Sequence, residues 1–334
     1  MKPIASPFSE KLLNVQSRKE KITFRKEEFE VIHHFYEDAG HEFTTTETDE
    51  ITMQQVYNQY REKHKLPFPE EIQGIREKYQ LSASKMSEVL GFGINVYRQY
   101  ESGEVPNQSN ARLIQLAKDA EEFRKLVLLS DAFNTTEQAK VLKRVDSLIL
   151  EEKNNLNQRI INGYLLDNAE APCAKNGYVK PNLAKIQQVI LYLVQQLSPW
   201  KTGLNKLLFY ADFWHYRYHG KSLMGLQYRA IPLGIVPSNY DKILANVLAT
   251  ELIKVEYVPF PNGNIGEKYT ENPNCFFEDK LFSEAELTTL VAVKETFKNK
   301  TTQEIVAHNH AEKAWIDNQE KRQLVDYEYA FGLI

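Results

Sequence analysis

Asp212, His215 and His219 stand at i, i+3 and i+7 of one segment, and His308 and His310 flank Asn309 further on. On a helix that spacing gathers the first three on one face, where a carboxylate and two imidazoles could hold a metal ion. His308 or His310 could add a ligand, but no supporting carboxylate run or open-site signature accompanies them. They therefore read as local hydrogen-bonding and packing groups, and no metal is expected. The two cysteines, Cys173 and Cys275, have neither the paired spacing of a zinc site nor the basic or helix-start setting of a nucleophile. The stretch "GNIGEKYT" lacks the Lys-Ser/Thr pair of a phosphate loop. No catalytic constellation results, so neither an enzyme activity nor a cofactor is expected.

Asn95, Arg98 and Gln99 form a different kind of set. They lie in "GFGINVYRQYESGEVP", where Gly91 to Gly93 supplies a tight turn and Ile94 to Tyr100 a short helix. If Ile94, Tyr97 or Val96, and Tyr100 face inward, Asn95, Arg98 and Gln99 face outward. Asn and Gln can pair bidentately with adenine in the major groove, and Arg with guanine. The preceding helix turns at Leu81-Ser82 and points Met86, Val89 and Leu90 inward. Residues 70–112 carry five Lys and Arg against six Glu, so nothing in the bulk charge of this stretch favours phosphate.

The elements that must position these residues fall into four stretches. Residues 1–65 hold short β-like runs, Ile22–Phe24 and Phe29–Tyr36, broken at Asp38 and Gly40, then a helical Asp49–His64. Residues 66–120 open at Pro69 and contain several short helices. Residues 121–177 contain a longer helix, introduced by an Asn134/Glu137 capping pair and packing on the preceding domain or on its twin in a dimer. They end in the aperiodic linker Leu165–Gly177. Residues 178–334 are mostly helical. Pro181 reads as a first-turn residue, Gly220 as a C-cap, Ser283/Glu286 and Thr301/Glu304 as capping boxes, "LQYRAIPLGIVP" as a loop or short extended piece, and "IKVEYVPFPNGNIGEKYTEN" as a hairpin. The expected fold class is mainly α with small β elements.

The chain has 334 residues, 42% of them hydrophobic and 26% charged, and a net charge of −4, values of a globular protein with more than one domain. No run of about 18 apolar residues predicts a membrane span, and the start lacks a secretory apolar stretch. A cytoplasmic location and no membrane partner are expected.

The stretch around "GFGINVYRQYESG" resembles the Xre/Cro-type helix-turn-helix, especially that of MqsA-like antitoxins. The resemblance implies operator contacts for Asn95 and Gln99 and phosphate contacts for Ser82 and Ser84; where such domains often carry glutamine this chain has Ala83. In that family a zinc ribbon with two Cys pairs precedes the domain. Here the corresponding positions hold residues such as Glu37 and His41, and only His33, His34 and His41 are available as ligands. A degenerate, metal-free ribbon with Phe24, Phe29, Phe35 and Phe43 as its core is therefore expected.

From about Tyr178 the chain resembles the Panacea domain, also called SocA-like, of toxin–antitoxin systems. The resemblance rests on "TGLNKLLFYADFWHYRYHGKSLMGLQYRAIPLGIVP", "FSEAELTTLVAVKETF" and "HAEKAWIDN". It implies a mostly helical module that binds and neutralises a protein toxin. Phe209, Tyr210, Phe213, Trp214, Tyr216 and Tyr218 are too many for one buried stripe, so part of the set is expected to face a partner, as aromatic and Arg anchors do. The candidates for toxin contact are Phe209, Tyr210, Phe213, Trp214, His215, Tyr218, Tyr228, Arg229 and Trp315. The expected protein is an antitoxin that forms a homodimer and binds its own operator. The alternatives are a ligand- or protein-responsive regulator and an adaptor that delivers a toxin to a protease.

Overall fold

The computed structural model describes residues 3–9, 11–154, 156–166, 171–261 and 263–334. The chain divides into two compact units, residues 1–56 with 162–334 and residues 57–161. Segments that the sequence separates at its two ends thus belong to one unit. All sheets among the described residues are antiparallel, and helices dominate, so the fold is mainly α with small β elements.

The first unit starts with a small ladder, β1 (Ile4–Ala5) with β2 (Leu12–Leu13), and a three-stranded meander of β3 (Gln16–Phe24), β4 (Glu27–Asp38) and β5 (His41–Phe43). Phe24 pairs with Glu27, so the β3–β4 turn has two residues, Arg25 and Lys26, both at positive φ (49° and 70°). Phe29 and Phe35 are buried as expected of this block's core, while Phe24 and Phe43 are half-buried. His34 is buried, and burial pushes its imidazole down to about 4. Helix α1 (Thr46–His64) follows. Its Gln55 accepts from Ile32 N and donates to Ile32 O, both at 2.9 Å, closing two backbone groups on β4 that β5 is too short to reach.

The second unit contains α2 (Pro69–Lys78), α3 (Ala83–Val89), α4 (Val96–Glu101), α5 (Gln108–Leu116), α6 (Ala120–Leu129), α7 (Thr135–Asn154) and the backbone of α8 from Leu156; Asn162 to Leu165 complete α8 in the first unit. Ile72, Met86, Tyr97, Ile114, Phe123, Val127 and Val145 fill its core. Tyr79 stacks on Phe123 at 3.7 Å, and the phenols of Tyr79 and Tyr97 donate to the carbonyls of Ala117 and Ile72. Asn134 and Glu137 cap α7 by reciprocal hydrogen bonds. Val145 and Leu148 of α7 are buried in this core, with Arg124 of α6 bonded to Asp146.

The chain then returns to the first unit. Of the expected linker, Leu165 ends α8, residues 167–170 lie outside the described residues, and residues 171–177 contain a 3-10 turn, Ala174–Asn176, whose Asn176 is buried; the Asn176 and Gly177 carbonyls accept from Ser222. Next come α9 (Leu183–Leu197), α10 (Lys201–His219), β6 (Tyr228–Ile231), β7 (Gly234–Pro237), α11 (Tyr240–Ala249), β8 (Ile253–Pro259), β9 (Ile265–Glu271), α12 (Glu284–Phe297), α13 (Thr302–Ala311), α14 (Lys313–Ile316) and a closing 3-10 helix, Tyr327–Gly332. Pro181 lies ahead of α9 and not in its first turn, because the Asn182 side chain accepts from Lys185 N and caps the helix one residue later. "YRAIPLGIVP" forms a hairpin with Pro232-Leu233 at its turn. The Asn262 of the expected Asn-Gly turn lies outside the described residues. Among them no helix is long and apolar enough to cross a membrane.

Candidate functional site

Helix α10 sits at the centre of the first unit. Every residue from Gly203 to Phe213 is buried, so the helix is covered on all sides. β7, α12, α13 and the C-terminal 3-10 helix supply the cover. Phe209, Tyr210, Phe213 and Tyr216 are consequently core residues, the first three fully buried. Phe209 packs on Phe213 at 4.2 Å, Phe213 stacks on Tyr327 at 4.3 Å, and Tyr210 meets Phe297 at 4.8 Å. Tyr228 of β6 is fully buried in the same layer, and so is the His215 side chain. Five of the nine sequence candidates for toxin contact, Phe209, Tyr210, Phe213, His215 and Tyr228, therefore hold the domain together and offer no surface.

Polar groups run through this aromatic core. Asp212 is fully buried and accepts from Leu223 N (2.9 Å) and Met224 N (2.6 Å), while the phenols of Tyr228 (2.9 Å) and Tyr327 (3.2 Å) donate to its other oxygen. Burial outweighs these donors and raises its carboxyl to about 6. His215 Nδ1 is 3.0 Å from Thr289 Oγ1, and burial drives that imidazole down to about 2. The imagined metal face is thus divided between unrelated partners, and among the described residues no group of three His, Cys, Asp or Glu is arranged to hold an ion.

A second buried set escaped sequence reading. Lys206 is 1% exposed and has no ion pair among the described residues; burial alone lowers its amine to about 7. Tyr210, one turn on, donates to the buried Glu312, whose carboxyl burial raises to about 7. Asn309 Oδ1 accepts from Ile235 N at 2.7 Å. Gly234, at φ +106°, lies so close that a Cβ there would come within 2.5 Å of Asn309 Oδ1 and 2.6 Å of Lys206 Cε. The lysine inside the apolar segment "GLNKLLFY" was the available signal.

The remaining candidates keep surface. Trp214 and Trp315 are half-buried, and Tyr218 and Arg229 are exposed. Trp315 donates Nε1 to Ile231 O at 2.8 Å and stacks on His310 at 3.9 Å. This bond ties α14 to the β6–β7 hairpin, which presents Leu233, 60% exposed; Ile316, beside Trp315, is 52% exposed. Leu233 and Ile316 were not foreseen, although an aliphatic residue in a two-residue turn was a readable sign.

The second unit presents the other candidate set. Ser82 is exposed and caps α3 by accepting from Lys85 N, and Ser84 is half-buried. Asn95, Arg98 and Gln99 are all exposed at α4, while Tyr97 and Tyr100 are buried and Val96 half-buried. Ile94 is 62% exposed, contrary to the sequence reading, because α4 begins only at Val96 and Ile94 precedes the helical period. Of the cations here, Arg76 is paired with Glu101, Lys78 with Glu152 and Lys85 with Glu88. Among the described residues no ion pair holds Arg98.

Residues 204–316, from the first turn of α10 to the end of α14, match the family described as antitoxin SocA-like, Panacea domain. No curated protein and no solved structure matches the chain.

Proposed function

We propose, with the Panacea match as premise, that this chain is the antitoxin of a toxin–antitoxin pair: its first unit holds a protein toxin in a non-covalent complex and its second unit binds operator DNA. The match over 204–316 is the observation that carries the antitoxin role. Neutralisation is steric and electrostatic, with no bond made or broken. The toxin-facing surface is the part of the candidate set that keeps surface, Trp214, Tyr218, Arg229 and Trp315, extended by Leu233 and Ile316. Aromatic, Arg and aliphatic side chains ringed by polar surface are what protein interfaces use as anchors. The protein acts in the cytoplasm as a homodimer.

The DNA reading is supported by α2 to α5, which resemble an Xre-type helix-turn-helix, and by the outward set Asn95, Arg98 and Gln99. The test of the main reading is co-expression with the product of the adjoining open reading frame in an inducible host. Restored growth, and co-purification of the two proteins, is the expected result. Continued arrest with the antitoxin present and folded would refute the reading. Toxin abundance in rescued cells separates blocking, which leaves it unchanged, from delivery to a protease, which lowers it.

A further inference from the structure

A cleft of about 540 Å³ opens within the first unit between the N-terminal meander and the C-terminal end of the chain. Ser17 and Lys19 of β3 and Ile32 of β4 line one wall; Lys313, Asp317, Asp326, Glu328 and Phe331 belong to the other. All but Lys313 lie outside residues 204–316, so the cleft is built mainly from what this chain adds to the matched domain.

Its charges are unequally satisfied. Asp317 is bonded to Lys313 (2.6 Å) and accepts from the Tyr329 hydroxyl (2.9 Å), and Asp326 is paired with Lys175 at 2.8 Å. Lys19 is committed to Glu30 at 2.8 Å and reaches Glu328 only at 3.8 Å. Glu328 is thus the carboxylate with the least compensation; its pKa is raised by burial and then by the neighbouring Asp326. Ile32 and Phe331, both half-buried, give the cleft an apolar lining, and Phe331 is held in place against His34 and Tyr216. An apolar wall under an under-compensated carboxylate suits a side chain with a long aliphatic stem and a cationic head.

We propose that this cleft receives an arginine or lysine side chain from an exposed segment of the toxin polypeptide, and that it contributes partner selectivity beyond residues 204–316. The proposal rests on the antitoxin reading. Arginine suits it best, because its planar fork can engage a carboxylate and lie against the Phe331 ring together.

The test titrates the full chain with Ac-Gly-Arg-Ala-Arg-Gly-NH2, followed by amide chemical shifts, with a citrulline-substituted peptide as neutral control. Three variants are compared. Glu328→Lys reverses the key charge at an exposed position, Ser17→Arg occupies the cleft from the facing wall, and Glu256→Lys makes the same charge change on exposed β8 away from it. The expected result is shifts at Ser17, Ile32 and Glu328 in the parent. The dissociation constant should rise at least fivefold in Glu328→Lys and Ser17→Arg but stay within twofold in Glu256→Lys. Equal weakening in Glu256→Lys means bulk attraction only and overturns the proposal, as does absence of shifts in the parent or unchanged binding in the two cleft variants. A chain that rescues growth yet ignores the peptide sinks the cleft alone. One that binds the peptide yet fails to rescue sinks the antitoxin reading, and the toxin with it as the source of the cation.

Discussion

Replacing Lys206 by Met tests the most unusual group in the core. The amine is 1% exposed, has no counter-charge among the described residues, and titrates near 7 in the fold against 10.5 for an ordinary lysine. The sign follows from proton counts. Between these two values the unfolded chain holds a proton that the folded chain has lost, so stability rises with pH across that window and the rise ends as the unfolded lysine itself deprotonates. At 1.36 kcal/mol per pH unit, the parent should gain about 2 kcal/mol from pH 7 to pH 9 through this group alone. Lys206→Met keeps much of the volume and removes the titration. Urea unfolding followed by circular dichroism at the two pH values gives the comparison. The variant should be more stable than the parent at pH 7, and the difference should shrink by about 2 kcal/mol at pH 9. A difference independent of pH would show that Lys206 keeps its charge in the fold by means the geometry does not provide, and would refute the reasoning.

Three further outcomes follow from local geometry. Gly234→Ala places a Cβ 2.5 Å from Asn309 Oδ1 at a φ of +106°, so it should destabilise the first unit by about 2–4 kcal/mol in the same urea assay. Lys26→Gly relieves a positive φ of 70° in the β3–β4 turn and should stabilise by about 1 kcal/mol, a sign opposite to that of most glycine substitutions. Asn95→Ala with Gln99→Ala should abolish retention of operator DNA in a mobility-shift assay and leave rescue from the toxin intact, whereas Tyr218→Ala with Trp315→Ala should do the reverse once folding is verified.

What could be read in the sequence was local. The capping pairs Asn134/Glu137, Ser283/Glu286 and Thr301/Glu304 form the expected hydrogen bonds, and Gly220 ends α10 at φ 63°. Met86, Val89 and Leu90 face inward as their spacing required. What escaped depends on neighbours distant in the chain. The aromatic residues of α10 looked too numerous for one buried stripe, and that inference assumed a helix with one wet side. The cover on its other faces comes from β7, α12, α13 and the C-terminal 3-10 helix, which nothing within "FYADFWHYRYH" announces. The joining of residues 1–56 with 162–334 has no local signature either. Arg25-Lys26 as a two-residue turn could not be foreseen, since neither residue type favours positive φ.

The buried polar groups explain why so aromatic a helix can settle in one register. Apolar packing tolerates rearrangement at modest cost, so leucine and phenylalanine alone would leave several arrangements of the covering elements nearly equal. On α10 three buried polar side chains address three different covers. Asp212 holds the Leu223-Met224 backbone and the phenols of Tyr228 and Tyr327, His215 meets Thr289 of α12, and Tyr210 meets Glu312 at the start of α14. A slip of one element would strand a buried acceptor or donor, at about 1–3 kcal/mol each. These same elements carry the side chains that the proposed reading offers to a toxin: Trp315 and Ile316 stand on α14, and Arg229 stands beside Tyr228. The order of the core therefore fixes the geometry of the surface. Loosening Asp212 should disturb partner binding without any contact between Asp212 and the partner.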